Sequence, residues 1–454
     1  MLKASNAEAG DRFGATVALS GDGATLAVGA FGEASAGVGV DADQSSNSAT
    51  YSGAVYIFVR SGTSWTQQAY IKASNTEMND GFGRALALTS DGSTLAVGAP
   101  SESSNATGIG GDQTNNSASF SGAVYVFTRA GTTWTQQAYV KASNTDALDN
   151  FGVDVELSAD GSLLAVAATG EASLVPGDPT NNGALNTGAA YVFARSGTTW
   201  TQQAYLKASN PGDSDEFGND IALSADGSTL AIGALGEDSA ATGIDGDQAS
   251  ETAQLSGAVY VFAHAGSSWT QQAYVKPSVT RSGMSFGFSV ALSATGARLA
   301  VGAPGEASAA TGVGGDQNDT SASAAGAIYT FTRDGTSWRQ EAYLKASNTG
   351  AADGFGLPVA LSADGVKLAC AAQGEDSAAA GFNGNQQDDT LMNAGAVYLD
   401  TRVEGWTQSA YVKASNPAAV DGFGEAVAVS ADASVLVVGT SNQASGTGVV
   451  YVFE

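Results

Sequence analysis

Short apolar runs alternate with polar turns along the whole chain, and almost no run is long enough to suggest a helix. The stretch from Arg84 to Lys141 shows the pattern. Arg84–Thr89 reads as a first strand, and Ser90-Asp91-Gly92-Ser93 as a tight turn. Asp-Gly is favoured in such hairpins because both central residues need positive φ. Thr94–Ala99 reads as a second strand, with Leu95 and Val97 on one face. Period-two alternation of this kind marks a strand between two different environments. A long loop rich in Ser, Asn, Asp and Gly follows from Ser101 to Ser121. Gly122–Phe127 then predicts a third strand, Thr128–Thr132 a turn, and Thr133–Lys141 a fourth strand carrying Trp134 and Tyr139. Aromatic and β-branched enrichment supports these assignments.

The same unit recurs. Copies begin at Phe13, Phe82, Phe151, Phe217, Phe286, Phe355 and Phe423. A single four-stranded meander cannot bury both of its faces, whereas seven packed radially can. The predicted fold is therefore all-β: a seven-bladed β-propeller of four-stranded antiparallel blades, one domain over residues 1–454. The seventh module stops after a third strand, Val449–Phe453. The opening Leu2-Lys3-Ala4-Ser5-Asn6 matches the end of a fourth strand, as in Val140-Lys141-Ala142-Ser143-Asn144. The N-terminal segment is thus expected to close the ring. Because the chain opens inside a repeat, further domains of the same polypeptide are also expected.

Composition narrows the partners. Only 14% of residues are charged, yet the net charge is −27. Such a surface repels nucleic acid and anionic membranes, so neither is expected as a partner. No apolar run approaches the length that spans a bilayer, so membrane insertion is not expected either. Cys370, alone of its kind, occupies a strand position equivalent to Val97 and reads as a buried thiol. His264, also alone, stands where other modules carry Arg60, Arg129, Arg195 or Arg333, read as an exposed turn. With one His and one Cys, neither a Ser-His-Asp set nor a Cys/His metal cluster emerges. Paired carboxylates are expected by composition alone, and the chain does not read as an enzyme.

Two ends frame each repeat: Phe82-Gly83 with Gly98-Ala99-Pro100, and Phe286-Gly287 with Gly302-Ala303-Pro304. Weaker closing ends are Gly29-Ala30-Phe31, Ala167-Ala168-Thr169, Gly233-Ala234-Leu235, Ala371-Ala372-Gln373 and Gly439-Thr440-Ser441. At these residues the chain resembles the FG-GAP repeats of integrin α-subunit propellers and their bacterial relatives. The resemblance implies a seven-bladed propeller at the cell surface or outside the cell, used for adhesion or recognition of a protein or glycan ligand. In integrin repeats calcium sits between the first and second strands on a run of acidic residues. Here that turn has one carboxylate, at Asp22, Asp91, Asp160, Asp226 or Asp364, too few for an ion that takes six to eight oxygens.

The long loops offer other oxygens. Glu33, Glu102, Glu171, Glu237, Glu306 and Glu375 open them. Asp43, Asp112, Asp178, Asp247 and Asp316 follow, with Asn385 in the sixth module. These side chains suggest a calcium cage, or else Asx-turns that satisfy the loops' own amides. Two further series recur in nearly every module. Aspartates two residues before each Phe, such as Asp11, Asp80 and Asp149, read as acceptors of loop amides. Lysines ending the fourth strands, such as Lys72 and Lys141, read as pairing across blades. The tryptophans read as packing between blades rather than stacking on sugar. The fifth module breaks the symmetry at Pro277–Met284, so Thr280, Arg281 and Met284 are candidate ligand contacts. The meander topology gathers the long loops and inter-module connections at one end of each sheet, where recognition is expected. The competing expectation is a structural repeat of a larger surface protein or filament.

Overall fold

The computed structural model describes residues 1–454. It is an all-β, seven-bladed propeller of antiparallel sheets, with one helical turn at Gln443–Gly446. Six sheets have four strands in chain order, and the seventh has three. The second blade is built from Ala85–Leu88, Thr94–Ala99, Ala123–Ala130 and Thr133–Val140. Its third strand thus runs through Thr128-Arg129-Ala130, which the sequence suggested as a turn. Arg129 pairs with Trp134 across the hairpin. A register shift between Val126 and Phe127 absorbs one extra residue there, and equivalent shifts occur at Ile57/Phe58 and Thr330/Phe331.

By contacts the chain divides into two compact units. One comprises residues 1–218, 266–268 and 430–454, and the other 219–265 and 269–429. Within the first, the second strand Thr94–Ala99 is buried along its whole length. Its two faces serve different neighbours. Leu95, Val97, Tyr125, Phe127 and Trp134 pack with Val55, Ile57 and Ile71 of the first blade. Ala96, Val124, Val126 and Val140 pack with Phe151, Leu164, Tyr191 and Phe193 of the third. Each blade therefore presents bulky aromatic residues to one side and small aliphatic ones to the other. The second unit repeats this scheme, with Val259 and Val261 against Phe286, Tyr329 and Phe331. Cys370 is buried among Leu368, Phe355 and Tyr398.

The two recurring ends of the repeat meet between blades. A Cβ on Gly98 would lie 2.1 Å from the carbonyl oxygen of Gly152, the glycine after Phe151. Gly29 faces Gly83 and Gly302 faces Gly356 in the same way. Glycine at the end of one module's second strand thus lets the next module's Phe-Gly backbone approach. The phenylalanine of each such pair lies beneath its own blade's tyrosine, edge to face: Phe82 and Tyr125 have ring centroids 5.3 Å apart.

At the opposite end of the sheets, the tight turns join one another. The Gly21 amide donates to Ser90 and the Ser90 amide to Ala159. Within the first unit, Leu2 exchanges two backbone hydrogen bonds with Val450, at 2.7 and 3.1 Å. The N-terminal segment therefore pairs with the final strand of the chain.

Candidate functional site

Each long loop departs from its second strand at a glutamate whose side chain turns inward. In the second blade Glu102 is 1% exposed, and its Oε2 lies 2.9 Å from Lys141 Nζ, itself fully buried. Lys141 also donates to Ser121 at the far end of the same loop. The remaining carboxylate oxygen accepts from Asn75 and from Tyr139. Tyr125 in turn donates to the Asn75 side-chain oxygen. One buried carboxylate thus ties together the loop's start, its end, the fourth strand and the connection from the preceding blade.

The ion pair recurs in modules one to six, although among the described residues Glu171 Oε1 and the Tyr205 and Tyr343 hydroxyls lack the further hydrogen bonds seen at Glu102. Glu33, Glu171, Glu237, Glu306 and Glu375 pair with Lys72, Lys207, Lys276, Lys345 and Lys413 at 2.6–2.9 Å. Every partner lies in the same blade, so the lysines do not pair across blades as the sequence suggested. Glutamate and lysine are 39 residues apart in the second module, and only the meander's closure brings the loop base onto the fourth strand. Lys3 is exposed, and the seventh module has no long loop to supply a glutamate.

The loop aspartates have a different position. Asp43, Asp112, Asp178, Asp247 and Asp316 are exposed, and each accepts the amide two residues on. Asn385 does the same for Gln387. Those hydrogen bonds hold the Asp43, Asp112 and Asp178 carboxyls below their ordinary range. The expected cage is thus split between buried ion pairs and self-capped turns. Among the described residues, no group of three or more His, Cys, Asp or Glu side chains is spaced for a metal ion.

The aspartates before each Phe accept loop amides, as expected: Asp80 from Glu77, Asp149 from Asp146, Asp353 from Gly350. Burial raises Asp80 and Asp149 to about 7, and Asp11 and Asp353 to about 6. Burial also lowers the paired lysines, against the pull of their glutamates.

The fifth-module candidates are engaged internally. Met284 is 4% exposed, and its Sδ accepts the Arg281 amide at 3.1 Å, replacing the aspartate of other modules. Thr280 donates to the Ala241 carbonyl and Arg281 reaches Asn318. Val279 stands where other connections carry Asn75 or Asn348, and the buried Tyr329 hydroxyl has no hydrogen-bond partner. Trp134, Trp200, Trp338 and Trp406 hydrogen-bond to the preceding blade. Trp134 donates to Gln68 and Trp338 to Gln272, each under an arginine of its own blade. His264 lies in the third strand Ala258–Ala265 rather than in a turn, stacked on Trp269 at 4.5 Å.

The FG-GAP repeat family matches residues 1–58, 65–127, 134–193, 200–262, 269–331 and 406–453. The chain belongs to the FG-GAP repeat family. The sixth module of this FG-GAP protein lies mostly outside the matches, yet Val359–Leu361, Lys367–Ala372, Ala396–Arg402 and Trp406–Val412 form its sheet. A comparison with curated protein sequences finds no match. Among solved structures, the chain is similar to Kuenenia stuttgartiensis hydrazine synthase, at 12% identity and TM-score 0.54, covering 100% of this chain and 97% of that one. It is also similar to the β-propeller domain of Myceliophteria thermophila Cps50 (Swd1), at 11% identity and TM-score 0.52, covering 96% of each chain. At such identity these likenesses concern the fold.

Two outcomes test the site's energetics. Lys141→Met leaves Glu102 charged and buried, and should destabilise the chain by about 3–5 kcal/mol in chemical denaturation. Adding Glu102→Gln should recover at least half of the loss, because the amide needs no counter-ion and still accepts from Asn75 and Tyr139. The raised aspartates set the pH response. Between about pH 4 and 7 the native chain holds more protons than the unfolded one, so stability falls as pH rises through that window. Thermal melts should therefore peak on the acidic side of neutrality, and Asp80→Asn should flatten the slope while keeping the bond from Glu77.

Proposed function

We propose that the chain is a non-catalytic recognition module outside the cell, binding a protein or glycan ligand through the loop end of its blades. The observation that carries this reading is the combination of rigid base and exposed tip in each long loop. Buried Glu–Lys pairs fix the bases, while the tips display Ser, Asn, Gln and Asp side chains to solvent. A cavity of about 360 Å³ in the second unit shows such a surface. It is lined by Asn348, Asp353, Asp376, Gln386 and Asp389 among others. Pre-organised polar loops lose little freedom on binding. The family resemblance supports the extracellular setting. The residues best suited to nucleophilic or general-base work are occupied: Cys370 is buried and His264 is stacked on Trp269.

A second reading, a structural repeat that packs against copies or neighbouring domains, is favoured by the regularity of the loops over six modules. A glycan array read with and without calcium, together with sizing, separates the two. Saturable binding supports recognition. A blank array in both conditions, with self-association on sizing, supports the structural reading.

A further inference from the structure

At the loop end of the first two blades, the repeat departs from its own symmetry in a concentrated way. A cavity of about 350 Å³ is lined by Phe31, Tyr51, Asn79, Arg84 and Phe120, together with Gly81, Pro100 and Ser101. Tyr51 is 42% exposed and Phe120 45% exposed. Both have left-handed backbones, with φ of 56° and 55°. The equivalent residues Asn186, Leu255, Ala324 and Asn393 are also left-handed, so the loop demands this conformation, and Asn meets it at little cost; Leu255, like the two aromatics, is exposed, but of these residues only Tyr51 and Phe120 line this cavity with an aromatic ring. Each aromatic residue there keeps over two-fifths of its surface open to solvent. Aromatic side chains held open to solvent at a strained position point to a ligand.

The polar part of the cavity is equally unusual. In a chain with 18 Lys and Arg against 45 Asp and Glu, Arg12 and Arg84 both lie over the Phe31 ring, at 5.5 and 4.9 Å. Arg84 is exposed and forms no ion pair among the described residues. The walls are stapled: the Asn79 amide donates to the Thr50 carbonyl, Gly81 to Tyr51 and Ser101 to Asp80. A guanidinium with free donors recognises a carboxylate in a bidentate manner. Aromatic faces suit the flat C–H face of a sugar ring, and Asn79 and Ser101 suit its hydroxyls. The volume falls in the range of small-ligand sites. The net charge of −27 disfavours a polyanion, so a ligand with a single carboxylate fits best.

We propose that this cavity binds a terminal carboxylated sugar, with Arg84 on the carboxylate and Tyr51 and Phe120 against the ring. The assignment rests on the recognition reading and gives it a site and a ligand class. The substitutions that test it are supplied by other modules of the same chain. Arg84→Ala introduces the residue found at Ala15, and Tyr51→Asn and Phe120→Asn introduce those at Asn186 and Asn393.

The probe is an array of glycans ending in sialic, glucuronic or galacturonic acid, each beside its neutral counterpart, followed by calorimetric titration. The wild type should prefer a carboxylated member at least tenfold, and Arg84→Ala should abolish the preference. Tyr51→Asn and Phe120→Asn should each weaken binding tenfold or more without lowering the melting temperature. The proposal is overturned if no carboxylated glycan is preferred, or if the preference survives Arg84→Ala. Binding of other glycans that all three substitutions leave unchanged also overturns this site, while recognition through the loop end stands.

Discussion

The structure depends on a charge that cannot reach water. Glu102 and its equivalents are taken out of solvent at the base of each long loop, and a buried carboxylate is tolerated only when paired and hydrogen-bonded. Lys141 supplies the pairing, and Asn75 and Tyr139 occupy the other oxygen. Because those partners come from the fourth strand and from the preceding connection, the loop cannot detach without exposing several unmet groups at once. A segment of Gly, Ser and Asn, which would otherwise fluctuate freely, is thereby made part of the blade. The same burial raises the neighbouring aspartates, so stability and pH response share one cause.

Much of this was legible in the sequence. The repeat and the four strands per module followed from period and turn chemistry; the Asp-Gly turns fall where expected, but only their glycines, such as Gly92 with φ of 65°, have positive φ, while the aspartate before each does not. The Phe-Gly and Gly-Ala ends have a direct physical meaning, since Gly98 and Gly152 meet between blades. Other features were harder to read. A spacing of 39 residues identifies Glu102 and Lys141 as recurring, but not as partners, and pairing across blades was equally consistent with recurrence. Alternation in Thr94–Ala99 marked two different environments, but not that these are the bulky side of one neighbouring blade and the small side of the other. His264 looked like a turn residue because Gly266 follows closely, although the strand extends to Ala265.

Symmetry-breaking proved informative in an unexpected place. The fifth-module substitutions are absorbed by the fold: Met284 accepts the amide that an aspartate accepts elsewhere. Tyr51 and Phe120 escaped notice because each is one aromatic residue in a low-complexity loop. Their signal is conformational, a left-handed backbone under a bulky side chain, and composition does not reveal φ. Residues that alter a repeat while filling its structural role differ from residues that alter it and remain exposed. That distinction needs coordinates.

The central claim is that the long loops are locked to the blades by the buried ion pairs, and native-state hydrogen exchange measures this most directly. The Gly122 amide bonds to the Glu102 carbonyl and the Lys141 amide to Gly108. The account predicts that both exchange as slowly as amides of Ala123–Ala130, and that Lys141→Met speeds them selectively. Exchange of these amides at the rate of unstructured loops in the wild-type protein would contradict it.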